Sequence, residues 1–349
     1  MAFQYLTTVP LDRAKKEYME FLIENGMTPL TETVPAAETA GRVLAGPVYA
    51  RISAPHYNAC AMDGIALRAK LTAGANETSP VSLTTGEYIW VNTGDALPES
   101  CDAVVMTEDV IEAGGGLIKL YEAAVPWQHV RQIGEDICAG EMILPSYSLV
   151  TAAGIGALMA SGVTEADVIK RPVVGLIPTG DELVTPSADP KQGEIIEFNS
   201  SIFSAMLRDW GAETIPFPIV PDDLTKIREA INTALEQCDA VIVNAGSSAG
   251  SEDYAAAAIA ECGAVLHHGI AIKPGKPAIL GRSGAKPVLG VPGYPVSGII
   301  VIEQFMRPIV EFLGRKAPTP HCYEDAVLSK SIVSSLKYQK FVRVRMWYV

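Results

Sequence analysis

The sequence predicts an α/β protein of several domains, in which a three-layer unit with a parallel sheet accompanies an inserted β-rich region. Strands and helices alternate with short links after residue 171, and those strands are apolar on both faces, as buried parallel strands are. Between residues 48 and 144, short β-branched runs alternate instead with Gly, Pro, Asn and Asp turns. The length of 349 residues allows two or three domains.

The region before residue 171 contains helical segments on either side of the β-rich part. Apolar residues recur at helical spacing within residues 10–25, and an Asn-Gly pair follows, so we expect an amphipathic helix there. A second, short helix is predicted after Glu38, and residues 149–160 are predicted as a helix rich in small side chains. The strand patterns of the β-rich part are residues 81–83, 88–91, 103–106 and 117–120.

From residue 171 onward the pattern is that of a wound α/β unit. Residues 173–177 are predicted as a continuous apolar strand, and a helix follows from about residue 200, with Asn199 as its N-cap and Gly211 closing it. The later elements are predicted, in order, as a strand at 214–220, a helix at 222–237, a strand at 240–243, a helix ending at 262, strands at 264–272 and 288–291, and a helix from 296.

Composition and charge exclude several classes of protein. The formal net charge of −13 argues against nonspecific binding to nucleic acid or to an anionic membrane. The most apolar stretch is interrupted by Gly, Pro and Glu, so no membrane-spanning helix is expected, and the N-terminus lacks a signal-peptide pattern. The six cysteines are scattered without metal-binding spacing, which is typical of reduced thiols in a cytoplasmic protein.

A loop of small residues after the strand at 240–243 is the most informative segment. It runs from Asn244 to Asp253 and precedes an alanine-rich helix, so its backbone N–H groups lie next to the positive end of that helix. The hydroxyls of Ser247 and Ser248 add donors, and the Asp253 carboxylate is suited to a metal ion. The pattern indicates a site for a phosphorylated ligand with a divalent cation, although alone it also fits a structural turn.

Two lysines on a stiff turn follow about twenty residues later. The segment 273–277 reads Lys-Pro-Gly-Lys-Pro, and an acidic protein that binds anions must concentrate its cations locally. Four segments follow predicted strands, namely residues 179–182, 246–253, 273–277 and 292–295. Because ligands bind beyond the carboxyl ends of parallel strands, we expect all four to face one crevice.

The β-rich region carries three further polar motifs, each of which also fits a turn or a surface ion pair. Residues 58–64 place the Asp63 carboxylate in a loop beside a glycine, and residues 91–98 form a tight polar turn that contains Thr93. Residues 130–137 combine the cation of Arg131 with two acids, one of which is Asp136.

Taken together, these motifs resemble one family. The motifs occur in the order found in the molybdopterin molybdenumtransferases known as MoeA, which are similar to the E domain of gephyrin, and the likeness spans roughly residues 10–345. The motifs are Ala-Met-Asp-Gly at 61–64, Asn-Thr-Gly at 92–94, Arg131 with Gly-Glu-Asp at 134–136, Thr-Gly-Asp-Glu-Leu at 179–183, the Gly/Ser loop at 246–253, Lys-Pro-Gly-Lys-Pro at 273–277, and Pro-Gly-x-Pro-Val-Ser at 292–297.

The resemblance implies the last step of molybdenum cofactor synthesis. In that step adenylated molybdopterin and molybdate react, with Mg²⁺, to give the metallated cofactor and AMP. The α/β unit would then be a molybdopterin-binding domain similar to MogA. Because hard cations take carboxylate oxygens, Asp222 and Asp253 are the expected Mg²⁺ ligands, although Asp222 also fits the N-cap of a helix.

The same likeness assigns the other site residues. Positioning and charge neutralisation would carry the rate, without a covalent nucleophile from the protein. Catalytic positions fall on Asp63, Asp181, Glu182 and Lys276. Positions that bind the cofactor, a phosphate or molybdate fall on Thr93, Arg131, Asp136, Gly246, Ser247, Ser248, Gly250, Lys273, Pro292, Pro295 and Ser297.

The resemblance also implies a homodimer in which each cleft is shared between subunits, and contacts with other enzymes of molybdenum cofactor synthesis. The polar motifs of the β-rich region would act across the interface on the partner's α/β unit. The implied domains are residues 1–26 with 171–317 (α/β, molybdopterin-binding), 27–50 with 140–170 (elongated, linking), 51–139 (inserted, β-rich) and 318–349 (the start of a C-terminal β-barrel that is incomplete).

The chain departs from the family pattern at a few positions. Cys60 replaces a Ser and is interpreted as a buried filler, and Tyr294 replaces the Asn of Pro-Gly-Asn-Pro. In the tail, the family's Gly-Arg-x-Glu-Phe-x-Arg corresponds to residues 337–343, where Tyr338 takes the place of the first Arg. A cation expected near molybdate is therefore absent, with Lys337 and Lys340 as candidates to replace it.

Two other functions are kept as alternatives. One is the preceding molybdopterin adenylyltransferase, which resembles the α/β unit alone, although the motifs with Asp63 and Thr93 argue against it. The other is a cofactor-binding or scaffolding protein of the same fold without turnover, because the family includes a receptor-clustering member.

Overall fold

A computed structural model describes residues 8–245, 254–318, 320 and 322–346 of the chain. The chain divides into a sheet unit, Met1–Thr31 with Ile169–Val349, and an inserted unit, Glu32–Val168. All six cysteines are free thiols. Within the described ranges, no helix has the length and apolar character needed to cross a membrane.

The first helix, α1, spans Leu11–Glu24 and belongs to the sheet unit. It buries one apolar face, as its 3.6-residue spacing predicts: Leu11, Ala14, Tyr18 and Leu22. The Tyr18 hydroxyl donates to the carbonyl oxygen of Gly281 at 2.7 Å, which ties the helix to the sheet. The Asn25-Gly26 pair ends the helix as predicted, with Gly26 at φ +96°.

The inserted unit is built from short strands and one α-helix. Its elements are β1 Thr31–Pro35, β2 Val48–Tyr49, β3 Ala59–Cys60, β4 Gly64–Leu67, β5 Val81–Leu83, β6 Tyr88–Val91, β7 Ala103–Met106, β8 Ile111–Gly114, β9 Leu117–Leu120, β10 Val130–Arg131, β11 Met142–Leu144, α2 Ala152–Ala160 and β12 Glu165–Ile169. The four strand patterns predicted here are confirmed with the same bounds. The helix predicted after Glu38 is wrong, because the chain makes a 3₁₀ turn at Ala36–Glu38 and leaves it at Thr39.

Three hydrophobic cores stabilise the inserted unit, and the smallest of them lies around Cys60 and Val104. The antiparallel sheets β6-β4-β7 and β5-β9-β8 enclose the first core, which contains Ile65, Leu67, Ile118 and Leu120. The second core lies around α2, with the pairs β1-β12 and β2-β11, and contains Leu44, Val150, Leu158 and Val168. Strand β3 pairs with β10 in a ribbon of its own.

The sheet unit continues from residue 169 with alternating strands and helices. Its elements are β13 Val173–Pro178, β14 Leu183–Val184, β15 Ile195–Ile196, α3 Asn199–Trp210, β16 Glu213–Pro216, α4 Leu224–Gln237, β17 Ala240–Ala245, α5 Tyr254–Cys262, β18 Ala264–His268, β19 Ile272–Lys273, β20 Ile279–Ser283, β21 Lys286–Pro292, α6 Pro295–Val301, a π-helical segment Ile302–Met306, α7 Arg307–Leu313 and β22 Gln339–Lys340.

The central sheet has the strand order β16-β13-β17-β21-β20-β18. Strands β16, β13, β17 and β21 are parallel, and β20 is antiparallel to both of its neighbours. The sequence predicts a parallel sheet, which is confirmed except for β20, a strand that the apolar pattern does not show. Alternate side chains face opposite cores: Leu176 packs with α1, α3, α6 and α7, whereas Ile177 packs with α4 and α5. The predicted three layers are therefore present.

Candidate functional site

A cavity of about 390 Å³ opens where three parallel strands end. Strand β13 lies between β16 and β17, so the chain winds to one side of β13 and then returns to the other. Such a switch point leaves a crevice beyond the carboxyl ends of the strands. The cavity is lined by Thr179, Glu182, Leu183, Ile195, Ile196, Glu197, Phe198, Asn199, Asn244, Gly293, Tyr294 and Pro295. Two of the four predicted segments, 179–182 and 292–295, thus meet here.

Two buried side-chain amides face this cavity without a complete set of hydrogen bonds. Asn199 is 7% exposed and Asn244 is 5% exposed. The Nδ2 of Asn199 donates to the carbonyl oxygen of Gly293 at 2.7 Å. Within the part of the chain that the structure describes, the Oδ1 atoms of both amides have no hydrogen-bond partner. Because buried polar atoms are almost always paired, these two acceptors point to a ligand with N–H or O–H donors.

The start of α3 explains why Asn199 is available. The residue at the N-cap position is Phe198, which makes no side-chain cap bond, and Asn199 is the first residue of the helix. A carboxylate oxygen of Glu197 accepts from the backbone N–H of Ser200 at 2.9 Å. The prediction that Asn199 caps this helix is therefore wrong, since Glu197 supplies the acceptor. The closing residue Gly211, at φ +98°, is as predicted.

Three carboxylates gather beside the cavity, two after β13 and one before α4. The backbone N–H of Asp222 donates to Oδ1 of Asp181 at 3.2 Å. Asp222 is exposed at the surface, but partial desolvation of its carboxylate raises its pKa above the usual value, and the neighbouring charges of Glu182 and Asp181 raise it further. Gly180 sits at φ +151°, where a Cβ would lie 2.9 Å from a carboxylate oxygen of Glu182. The turn that brings the acids together thus requires glycine.

The carboxylate of Asp222 is not used as a helix cap. The cap of α4 is Asp223, whose Oδ1 accepts from the backbone N–H of Lys226 at 2.9 Å. The alternative interpretation of Asp222 as the N-cap is therefore wrong. Among the described residues, no group of three or more His, Cys, Asp or Glu side chains is arranged to hold a metal ion. The second expected metal ligand, Asp253, lies outside the described residues.

Strand β17 and helix α5 flank the Gly/Ser loop that is predicted to bind phosphate. Its candidate residues Gly246, Ser247, Ser248 and Gly250 lie, like Asp253, outside the described residues. Both flanks agree with the predicted strand-loop-helix order, because β17 ends at Ala245 and α5 begins at Tyr254. Ala245, the last described residue before the loop, is paired with Pro292 of β21 at the edge of the sheet where the cavity opens.

The predicted lysine turn lies between β18 and β20. It begins at Lys273, the last residue of the short strand β19. The backbone N–H of Ile270 donates to the carbonyl oxygen of Lys276 at 2.8 Å. Gly275 sits at φ +108°, and a Cβ there would lie 2.8 Å from Ile272 and 3.0 Å from Val301. Lys273 is exposed and Lys276 is half-buried, and neither lines the 390 Å³ cavity formed by described residues.

The segment after β21 forms one wall of the cavity. Pro292 ends the strand, Pro295 is the first residue of α6 and lines the cavity, and Ser297 is buried in the first turn of that helix. Tyr294 stands at the mouth with 72% of its surface exposed. Proline at the first helical position suits its fixed φ and its missing N–H, so the sequence places the helix start next to the cavity.

In the inserted unit, the structure brings Asp63 and Thr93 together. The Oδ1 of Asp63 accepts from the backbone N–H of Thr93 at 2.6 Å and from its hydroxyl at 2.9 Å. These hydrogen bonds hold the pKa of the Asp63 carboxyl below its usual value. Gly64 follows at φ +157°, where a Cβ would lie 2.0 Å from the carbonyl oxygen of Val105, so the Asp-Gly pair is fixed by packing.

Arg131 and Asp136 also meet in the inserted unit. A guanidinium nitrogen of Arg131 donates to Asp136 at 2.5 Å, and Nε lies 3.4 Å from Glu135. Both acidic neighbours raise the pKa of Arg131, Asp136 more than Glu135. These side chains are about half exposed, so the pair contributes little to stability and leaves charge accessible to a ligand.

Strand β3 connects the two polar groups of the inserted unit. On one side it pairs with β10. On the other side Cys60 contacts the turn that contains Thr93: the backbone N–H of Gly94 donates to the carbonyl oxygen of Cys60, and the N–H of Cys60 donates to the carbonyl oxygen of Asp95, each at 2.8 Å. The thiol of Cys60 is buried, and burial first and Asp95 second raise its pKa. This agrees with the interpretation of Cys60 as a filler, because a raised pKa disfavours the nucleophilic thiolate.

The fold and the cavity define an α/β ligand-binding protein with its site at a switch point. Comparison with known proteins identifies the family. Residues 9–162 match the family profile "MoeA N-terminal region (domain I and II)", and residues 175–311 match "Probable molybdopterin binding domain". The chain is 30% identical over 357 residues to molybdopterin molybdenumtransferase 2 of Mycobacterium tuberculosis, covering 95% of this chain and 87% of the relative.

Further relatives and a solved structure agree. The molybdopterin molybdenumtransferase of Haemophilus influenzae is 31% identical over 345 residues, with 95% of this chain and 85% of the relative covered. A crystal structure of a molybdopterin biosynthesis MoeA protein from Pyrococcus horikoshii superposes with a TM-score of 0.73 at 32% identity, covering 89% of this chain and 81% of the other. The chain therefore belongs to the MoeA family, a family of enzymes of molybdenum cofactor biosynthesis. The resemblance seen in the sequence motifs is confirmed.

Proposed function

We propose that this protein inserts molybdate into adenylated molybdopterin, with Mg²⁺, and releases AMP and the metallated cofactor. Its membership in the MoeA family supports the reaction class. The finer proposal rests on Asn199 and Asn244 in the switch-point cavity, whose amide oxygens have no hydrogen-bond partner among the described residues. A pterin carries an amino group and ring N–H groups, which are the donors that buried amide oxygens lack.

The cavity is suited to a flat heterocycle in further respects. Its volume of about 390 Å³ lies in the range of small-molecule sites. Phe198 and Tyr294 line it, with 45% and 72% of their surfaces exposed, so aromatic faces are available at the mouth. The amides of Asn199 and Asn244 would then fix the orientation of the ring, because each places one acceptor at a defined point.

In this proposal Mg²⁺ binds beside Asp222, whose carboxylate lies near the charges of Glu182 and Asp181. Partial desolvation and the charges of Glu182 and Asp181 raise the pKa of Asp222, so a cation bound there would stabilise its ionised form, which supports the proposal. Asp222, together with Asp253 of the adjoining loop, would hold Mg²⁺. When bound there, the ion would polarise a phosphoanhydride. The protein's own contribution is to orient the substrate and to neutralise its oxygens with Lys273, Lys276 and Ser297.

The active unit in this proposal is a homodimer with shared clefts. The Asp63–Thr93 and Arg131–Asp136 pairs are exposed on the inserted unit and are organised by one short strand, β3. They would act on the substrate held by the sheet unit of the partner subunit. The exposed charges of these pairs suit the ribose and phosphate groups of an adenylated ligand.

The reaction is tested by incubating purified full-length protein with adenylated molybdopterin and measuring AMP. We expect AMP release that requires both molybdate and Mg²⁺. Consumption of ATP with unmodified molybdopterin would instead support an adenylyltransferase. Binding of the adenylated substrate by a folded dimer, without any AMP release, would contradict the proposal and support a binding or scaffolding role.

A further inference from the structure

The tail of the chain adds a strand beside the lysine turn. Strand β22 pairs in parallel with β19. The backbone N–H of Gln339 donates to the carbonyl oxygen of Ala271, and that of Phe341 donates to the carbonyl oxygen of Lys273, each at 2.8 Å. Phe341 packs against the main core of the sheet unit. The tail is therefore fixed to the backbone at Ala271 and at Lys273, on either side of Ile272.

An aromatic ring of this tail holds the lysine. The Nζ of Lys273 lies 4.4 Å from the centroid of the Tyr338 ring, and the Nζ of Lys337 lies 5.6 Å from the same centroid. Both distances are within the range of cation–π attraction. A ring attracts an ammonium group but does not neutralise it, in contrast to a carboxylate. The contact thus fixes the position of Lys273 and leaves its charge and N–H donors available.

Lys273 and Lys337, the two ammonium groups at this ring, have no acidic partner among the residues that the structure describes. Among the described residues, no carboxylate lies within 4.0 Å of the ammonium group of Lys273, Lys276 or Lys337. Lys273 and Lys337 contact one ring in a chain of net charge −13, in which an excess of acidic residues would be expected to supply partners. Their mutual repulsion would be relieved by an anion bound between them.

We propose that Tyr338 is a positioning residue that holds Lys273, with Lys337 beside it, to bind a tetrahedral oxyanion. The oxyanion is molybdate or the phosphate of the nucleotide, which share charge and geometry. This inference rests on the proposed function, since it names the part of the chain that orients the cations for that chemistry. The tail would then contribute to binding of the oxyanion, in addition to its backbone pairing with β19.

Replacing the ring tests this role. Tyr338→Leu removes the aromatic face, whereas Tyr338→Phe keeps it and serves as the matched control. We expect the Kd for radiolabelled molybdate, measured by equilibrium dialysis, to rise about tenfold in Tyr338→Leu and to stay within about twofold in Tyr338→Phe. In a turnover assay, the KM for molybdate should rise with little change in kcat.

Titration of AMP distinguishes the two oxyanions. A loss of molybdate affinity with unchanged AMP affinity assigns the cations to molybdate, and the reverse assigns them to the phosphate. Unchanged affinity for both in a folded Tyr338→Leu protein overturns the inference, as does an equal loss in Tyr338→Phe. If the wild-type protein releases AMP while Tyr338→Leu behaves identically, only this inference fails. If the wild-type protein releases no AMP, the proposed function fails, and the dialysis result still decides the role of Tyr338.

Discussion

Buried amide oxygens without a hydrogen-bond partner are rare in folded proteins, and two that have none among the described residues belong to side chains lining the same cavity here. Neither Asn199 nor Asn244 could be selected from the sequence. An Asn before a helix is usually a cap, and an Asn at a strand end is usually part of a turn, so local rules assign both residues a structural role. Their common cavity depends on contacts between residues 45 positions apart, which the sequence pattern does not contain.

The ionisation of Asp222 should affect the stability of the folded protein. The native pKa of Asp222 lies above the ordinary value of 3.8, mainly through partial desolvation and then through the charges of Glu182 and Asp181. The folded protein therefore keeps this proton to a higher pH than the unfolded chain, and ionisation costs stability as the pH rises above 3.8. We expect Asp222→Asn to have a larger free energy of unfolding than the wild type at pH 7. The difference should shrink as the pH is lowered toward 4, in denaturant titrations at each pH.

Magnesium supplies the control for this prediction. If Asp222 binds Mg²⁺, adding the ion should raise the unfolding midpoint of the wild type and have a smaller effect on Asp222→Asn. If Asp222→Asn is no more stable than the wild type at pH 7, ionisation of Asp222 does not reduce the stability of the folded protein. An equal Mg²⁺ effect on both proteins would remove Asp222 from the expected metal site.

At the scale of secondary structure, the close packing of α6 on α3 keeps the cavity wall in place. Gly298 of α6 is buried, and a Cβ there would lie 2.5 Å from Cζ of Phe203, which is itself only 1% exposed. Because the ring has no room to move, we expect Gly298→Ala to destabilise the protein by about 1–3 kcal/mol. It should also raise the KM for the pterin substrate, because Pro295 and Ser297 lie on the same helix. Thermal unfolding and steady-state kinetics measure both effects.

Gly156→Ala is the matched control for Gly298→Ala. Gly156 lies within α2, and a Cβ there would meet no atom within 4 Å. Since alanine favours the helix over glycine, this variant should be more stable than the wild type by up to about 1 kcal/mol. If Gly298→Ala were also neutral or stabilising, the packing of α6 would not determine the geometry of the wall.

Most elements could be predicted because their local pattern agrees with the fold. The helix α1 and the strands β5, β6, β7 and β9 have clear periodicity and turn residues at their ends. Strand β20 was missed because Gly281, Arg282 and Ser283 interrupt its apolar run. The segment after Glu38 is not helical because its backbone pairs with distant residues: the N–H of Leu44 donates to Ser148, and that of Ala45 donates to Asp167. Tertiary contacts override local propensity at both places.

At the scale of the whole molecule, the proposal requires residues of two subunits in each cleft. Asp63→Ala and Asp253→Ala each remove one partner, so neither homodimer should be active. A mixed dimer would retain one cleft with both carboxylates. Random mixing of equal amounts should therefore restore about a quarter of the wild-type AMP release, because half of the dimers are mixed and each has one intact cleft of two.

Each variant re-mixed with itself is the control for subunit exchange. Mixed dimers that form, as shown by mass-tagged subunits, but recover no activity would exclude a cleft shared between subunits. Activity of the Asp63→Ala homodimer near the wild-type level would instead remove the inserted unit from the chemistry. The two units can be predicted from the order of the motifs along the chain. The subunit from which each cleft takes its residues cannot be predicted from a local pattern, because it depends on contacts between chains.

The substitution Asn244→Leu tests the central claim that the switch-point cavity holds the pterin. Leucine has a similar size and removes a buried oxygen that has no partner among the described residues, so the unfolding temperature should be kept or raised. The Kd for molybdopterin, measured by fluorescence titration of the pterin, should rise by about tenfold or more. A stable Asn244→Leu protein that binds molybdopterin as tightly as the wild type would contradict the account.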